Sequence, residues 1–267
     1  MSRVAPARLL IAFAVGCLVL AAALRAGGAD RPLFLAVNDA ASQWLPATLW
    51  SCFTVLGHGL SAVMLLAPTL LRSPGRLAAG LYATPVALLF SRLPKALVDS
   101  PRPAAVLDPA SFHVEGIRLA GHNSLPSGHA ITAFLVVGVL LAGDLRSFPR
   151  PLVTLAILAG GAAVAVSRIA VGAHWPSDVL AGAGLGLLAG VAGAQAQRRW
   201  PIGSGPAVRA LMALVVMACA VVLTRVDTGY PLARPLQFSL CALGVAVAAR
   251  ALWRAWAARG AAVRRPG

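Results

Sequence analysis

Eight apolar stretches, at about residues 9–24, 47–71, 77–98, 128–143, 152–170, 176–197, 207–224 and 235–256, decide what this chain can fold into. As helices they are long enough, or nearly so, to cross the roughly 30 Å hydrocarbon core of a bilayer. Lipid offers no water to backbone N–H and C=O groups, so each span must satisfy its own, which a helix does and an isolated strand cannot. The stretches predict an all-α, polytopic transmembrane helical bundle of about eight spans. Only 12% of residues are charged and 59% are hydrophobic, whereas a soluble domain carries about a quarter charged residues. Cys17, Cys52, Cys219 and Cys241 all lie within apolar runs, where cysteine behaves as a small hydrophobe, and their spacing fits neither a disulfide framework nor a zinc site. Residues 33–46 mix apolar positions with Asn38, Asp39, Ser42, Gln43 and Trp44 and predict a helix lying at the interface. The first run, preceded by Arg3 and Arg8, reads either as a cleaved signal peptide or as a retained span. The charge pattern favours retention.

Lys and Arg number 23 against 8 Asp and Glu, a net charge of +15. With the N-terminus in the cytoplasm, the cytoplasmic segments hold Arg3, Arg8, Arg72, Arg76, Arg146, Arg150, Arg198, Arg199, Arg209, Arg250, Arg254, Arg259, Arg264 and Arg265. These are 14 of the 23 cations, against Asp144 as the sole acid; the opposite side receives 9 cations and 7 acids. The positive-inside rule selects this orientation. Topology thus accounts for the basic composition, and no nucleic-acid partner is implied.

Three polar stretches fall on the non-cytoplasmic side. The stretch 167–178 reads S-R-I-A-V-G-A-H-W-P-S-D. Pro176 suits the first turn of a helix. Asp178, four residues after His174, then faces back toward the imidazole, holding one ring nitrogen and leaving the other basic. An imidazole so oriented, beside Arg168, suits attack on an anionic phosphorus centre; an ion cluster between two helices is the structural alternative. Pro126-Ser127-Gly128-His129 precedes the fourth run, where helix-start N–H groups favour anions and glycine admits a ligand close to the backbone; a capping histidine is the alternative there. Lys95 and Arg102-Pro103 supply two more cations. On an unbroken helix they stand about two turns, roughly 10 Å, apart, so Pro101-Arg102-Pro103 is expected to end the helix and fold Arg102 back. A snorkelling Lys95 and a solvated Arg102 are the ordinary alternatives.

Together the stretches read K-x6-R-P, P-S-G-H and S-R-x5-H-x3-D. This resembles the type 2 phosphatidic acid phosphatase superfamily, over about residues 30–197. The resemblance implies a membrane phosphatase with His174 as nucleophile, Asp178 as its orienting partner and His129 as general acid. It makes Lys95, Arg102, Ser127, Gly128 and Arg168 the phosphate clamp. No metal and no cofactor are implied. The implied partner is a membrane lipid phosphate or diphosphate in the bilayer; bacterial members act on undecaprenyl diphosphate, phosphatidylglycerol phosphate, phosphatidic acid or lipid A. The implied location is a bacterial cytoplasmic (inner) membrane, with the site facing the periplasm. Transfer of the phosphoryl group to a lipid acceptor, or a non-catalytic transporter or scaffold on the same fold, are the alternatives. Residues 1–200 form the expected core; residues 201–267 add two helices and a basic tail, serving packing or a homodimer. His58 reads as packing or as substrate or site support, His113, His122 and Asn123 as loop residues or head-group contacts, and Trp175 as an interface anchor.

Overall fold

The computed structural model describes residues 5–142, 150–202 and 205–263; Arg3, Asp144, Arg146, Arg264 and Arg265 of the topology argument lie outside them. Among the described residues there are eleven α-helices and no strand: α1 (Ala5–Ala26), α2 (Asp30–Trp44), α3 (Ala47–Leu56), α4 (Gly59–Leu66), α5 (Pro74–Leu97), α6 (Pro103–Val106), α7 (Gly128–Ala142), α8 (Pro151–Ala170), α9 (Pro176–Arg199), α10 (Pro206–Arg225) and α11 (Arg234–Val263). Six of these (α1, α5, α8, α9, α10 and α11) are long and apolar enough to cross a membrane, and α7 is a shorter apolar helix.

The second expected span is not one straight helix. Its halves, 47–56 and 59–71, meet at 77°. His58 takes an extended conformation there, with φ −71° and ψ 141°, and its ring nitrogen caps the new helix at Leu60 N–H. Gly57 is required at the bend because a Cβ would strike Val164 and His129.

Helix α9 is the centre of the bundle. Two thirds of its span is buried, and α1, α5 and α7 pack around it. Its glycines permit this. A Cβ on Gly182, Gly186 or Gly190 would meet the α7 side at the backbone of Ser127, Ile131 and Leu135, and one on Gly193 would meet Ala79 of α5. Backbone-to-backbone approach of this kind is how small residues associate helices in lipid. It also brings the start of α7 beside the start of α9. The C-terminal pair α10 and α11 packs on itself and on α4 and the 3₁₀ turn Ala67–Leu71.

Candidate active site

Helix α5 ends at Leu97, and the chain after it pairs with the loop before α7. Ser100 N–H donates to His122 O, Arg102 N–H to Gly121 O and Ser124 N–H to Ser100 O, at 3.1, 3.0 and 2.9 Å. This turns Arg102 back over the bundle, where it is buried. Its Nη1 donates to Ala173 O at 2.9 Å and to His174 Nε2 at 3.2 Å, and its Nε donates to Asn123 Oδ1 at 3.3 Å.

His174 sits in the tight turn between α8 and α9, where Gly172 has φ +76°, a conformation glycine adopts without steric cost. A guanidinium only donates, so His174 Nε2 accepts from Arg102 and the ring proton resides on Nδ1. Nδ1 lies 3.4 Å from Asp178 Oδ2 and 3.4 Å from Ser124 Oγ. The same Oδ2 accepts from Ser124 Oγ and, at 3.0 Å, from Trp175 N–H. The carboxylate is therefore held by the capping turn of its own helix and by the loop before α7, and Oδ1 has no hydrogen-bond partner among the described residues. Burial, then the charges of Arg102, Arg168 and Lys95, hold the His174 pKa well below the ordinary imidazole value, because each disfavours the cation. His174 is thus neutral at neutral pH, with an unprotonated Nε2.

The other singled-out residues surround this pair. Arg168, fully buried near the end of α8, donates from Nη1 to Tyr230 OH at 2.9 Å and stacks over the Tyr230 ring at 5.6 Å; its Nε has no hydrogen-bond partner among the described residues. Lys95, half-buried in the last turn of α5, feels the charges of Arg102, Asp178 and Arg168. His129, in the first turn of α7, lies within electrostatic reach of Arg168 and His174. Ser127 differs from the expectation for its backbone. Its N–H is taken by Asp178 O at 3.0 Å, tying α7 to α9, so the hydroxyl and the Gly128 N–H are what this turn offers an anion.

Four supporting residues carried no motif signal. Ser124 lies between the loop and the His174–Asp178 pair. Tyr230, from the connection between α10 and α11, reaches Arg168. Asn38 is buried and bonds Ile169 O, Ala170 O and both backbone groups of His113, pinning the end of α8. Asp30 accepts from the backbone and side chain of Ser177 at the start of α9. Trp175 is buried rather than an interface anchor: it packs edge-on against Phe34, and its indole N–H donates to Pro101 O at 2.7 Å. Among the loop residues, Asn123 supports Arg102, whereas His113 and His122 are exposed partners of Asp39 and Asp99.

Residues 76–202 match the profile of the PAP2 superfamily. A lipid A 1-phosphatase of Rhizobium johnstonii is 30% identical over 135 residues, which cover 48% of this chain and 45% of that protein. The chain thus spans less than half the length of this relative. The crystal structure of Aquifex aeolicus LpxE shares the fold, with a TM-score of 0.53 at 22% identity, covering 62% of this chain and 94% of that one.

Proposed function

We propose, from the match of residues 76–202 to the PAP2 superfamily profile, that this chain is an integral membrane phosphatase of that superfamily, hydrolysing a lipid phosphate or diphosphate at the non-cytoplasmic face of a bacterial inner membrane. One observation carries the reading: a neutral imidazole, its Nδ1–H aimed at a buried carboxylate and its Nε2 lone pair under Arg102, stands among three cations. The dianion of a phosphate monoester calls for such charge, and the arginine fork fits its oxygens.

In this reading Lys95, Arg102 and Arg168, with the Ser127 hydroxyl and the Gly128 N–H, hold the phosphoryl oxygens. Arg102 exchanges His174 Nε2 for a substrate oxygen, which uncovers the lone pair. Nε2 attacks phosphorus, the bond from phosphorus to the leaving oxygen breaks, and His129 delivers a proton to that oxygen. The Nδ1 proton stays between His174 and Asp178, whose negative charge stabilises the ring as it becomes cationic. Water then attacks the phosphohistidine, His129 takes the water proton, and phosphate leaves. The cations supply charge stabilisation that a metal ion supplies in other phosphoryl-transfer sites.

The test is phosphate release by the purified protein over a panel of lipid phosphates and diphosphates, with and without chelator and vanadate. Release that persists in chelator and is blocked by vanadate is expected. No release from any substrate, or release that depends on an added metal, overturns the reading.

A further inference from the structure

The bend between α3 and α4 sets a third histidine beside the site. His58 lines a cavity of about 650 Å³ that also includes Gly128 and His129, and its neighbour Gly57 lies against the His129 side chain. His58 Nδ1 accepts from Leu60 N–H at 3.3 Å, so the neutral ring carries its proton on Nε2. Helix α5 runs along the same cavity with a graded face. Leu81 and Leu88 line its apolar part, and Ser91 and Arg92 line the part nearer the site. Lys95 follows one turn later on the same face. Val215 and Cys219 of α10 line the cavity as well, so a helix outside the matched 76–202 segment contributes to it.

The proposal rests on the phosphatase reading. In that reading His129 protonates the leaving oxygen, so the leaving half of the substrate lies on the His129 side, in this cavity. We propose that His58 is a specificity-determining residue whose Nε2–H donates to an acceptor atom on the leaving half of an amphiphilic substrate. The apolar chain of that half runs between α4, α5 and α10. The substrate class is an amphiphile that places a hydrogen-bond acceptor next to the scissile P–O bond and an apolar chain beyond it.

Farnesyl diphosphate and farnesyl monophosphate test this in the full-length protein. They share the chain and the phosphoryl group that reacts, and they differ in the leaving half, a phosphate ester against a plain alcohol. Removal of one hydrogen bond to a charged acceptor is worth about tenfold or more. His58→Ala should therefore lower the diphosphate-to-monophosphate ratio of kcat/KM by at least about tenfold, and His58→Gln, which retains a donor, should recover part of it. An equal loss on both esters would make His58 a mere support for His129, and an unchanged ratio would make it packing; either overturns the proposal. Wild-type turnover of nitrophenyl phosphate but of neither farnesyl ester also overturns it and leaves the phosphatase reading standing. No turnover of any of the three removes the phosphatase reading and the proposal with it.

Discussion

Ser124→Ala tests whether the orientation of Asp178, and not merely its presence, sets the rate. Asp178 Oδ2 is surrounded by three donors: the Ser124 hydroxyl, Trp175 N–H at 3.0 Å and His174 Nδ1 at 3.4 Å. The contact to the imidazole is the longest of these, so the two shorter contacts fix where the carboxylate stands. Deleting the hydroxyl removes a hydrogen bond to a charged, buried acceptor, worth about 1.5–3 kcal/mol. At roughly 1.4 kcal/mol per decade of rate, the expected loss is about 10- to 150-fold. The loss should appear in kcat, because Ser124 contacts the imidazole–carboxylate pair and is not among the proposed phosphate ligands. Steady-state kinetics on a lipid phosphate, with a thermal-melt control for folding, measures it. A kcat within twofold of wild type, or a loss confined to KM, refutes the argument that this hydroxyl positions the carboxylate.

Tyr230→Phe removes the hydroxyl that accepts from Arg168 Nη1 but keeps the ring under the guanidinium; KM for the lipid phosphate should rise about 2- to 10-fold, read from initial rates. Gly186→Val places a branched side chain against the Ile131 backbone; a shift of α9 from α7 should cost at least about 1–3 kcal/mol of stability, seen as a lower melting temperature together with lost activity. The acid limb of the pH–rate profile should lie below the ordinary imidazole pKa, because His174 attacks only when neutral and burial with three cations keeps it so. Lys95→Met removes one of those cations, so the limb should move to higher pH even as the rate falls; the substrate's own ionisation is common to both profiles.

The spans were readable because apolar length reports directly on bilayer thickness. The predicted starts at about 152, 176 and 207 lie within one residue of Pro151, Pro176 and Pro206; proline at the first turn marked the second of these, and the edge of the apolar run the other two. The proximity of His174 and Asp178 was legible for the same reason: both belong to one capping turn. The bend at His58 is not legible, although Gly57-His58-Gly59 stands there, because hydropathy averages across it and the need for Gly57 comes from Val164 and His129, 107 and 72 positions away. Ser124, Tyr230, Asn38 and Asp30 were missed for a related reason. Their partners lie 50, 62, at least 75 and 147 residues away in the chain, and a lone serine or tyrosine in a polar loop carries no period or spacing. Trp175 was misplaced because an indole beside a span end has the same composition whether it meets lipid headgroups or, as here, the ring of Phe34.

The central claim is that the phosphoryl group passes through His174 while His129 serves the leaving oxygen. His174→Ala and His129→Ala, each assayed on a lipid phosphate and on nitrophenyl phosphate, test it most directly. General acid catalysis is worth about 10²–10⁴-fold and matters least for a good leaving group. Nitrophenyl phosphate should therefore rescue His129→Ala in part and His174→Ala not at all, and radiolabelled phosphoenzyme should be absent from His174→Ala alone. Rescue of His174→Ala by nitrophenyl phosphate with His129→Ala left inactive would contradict the account and exchange the two roles.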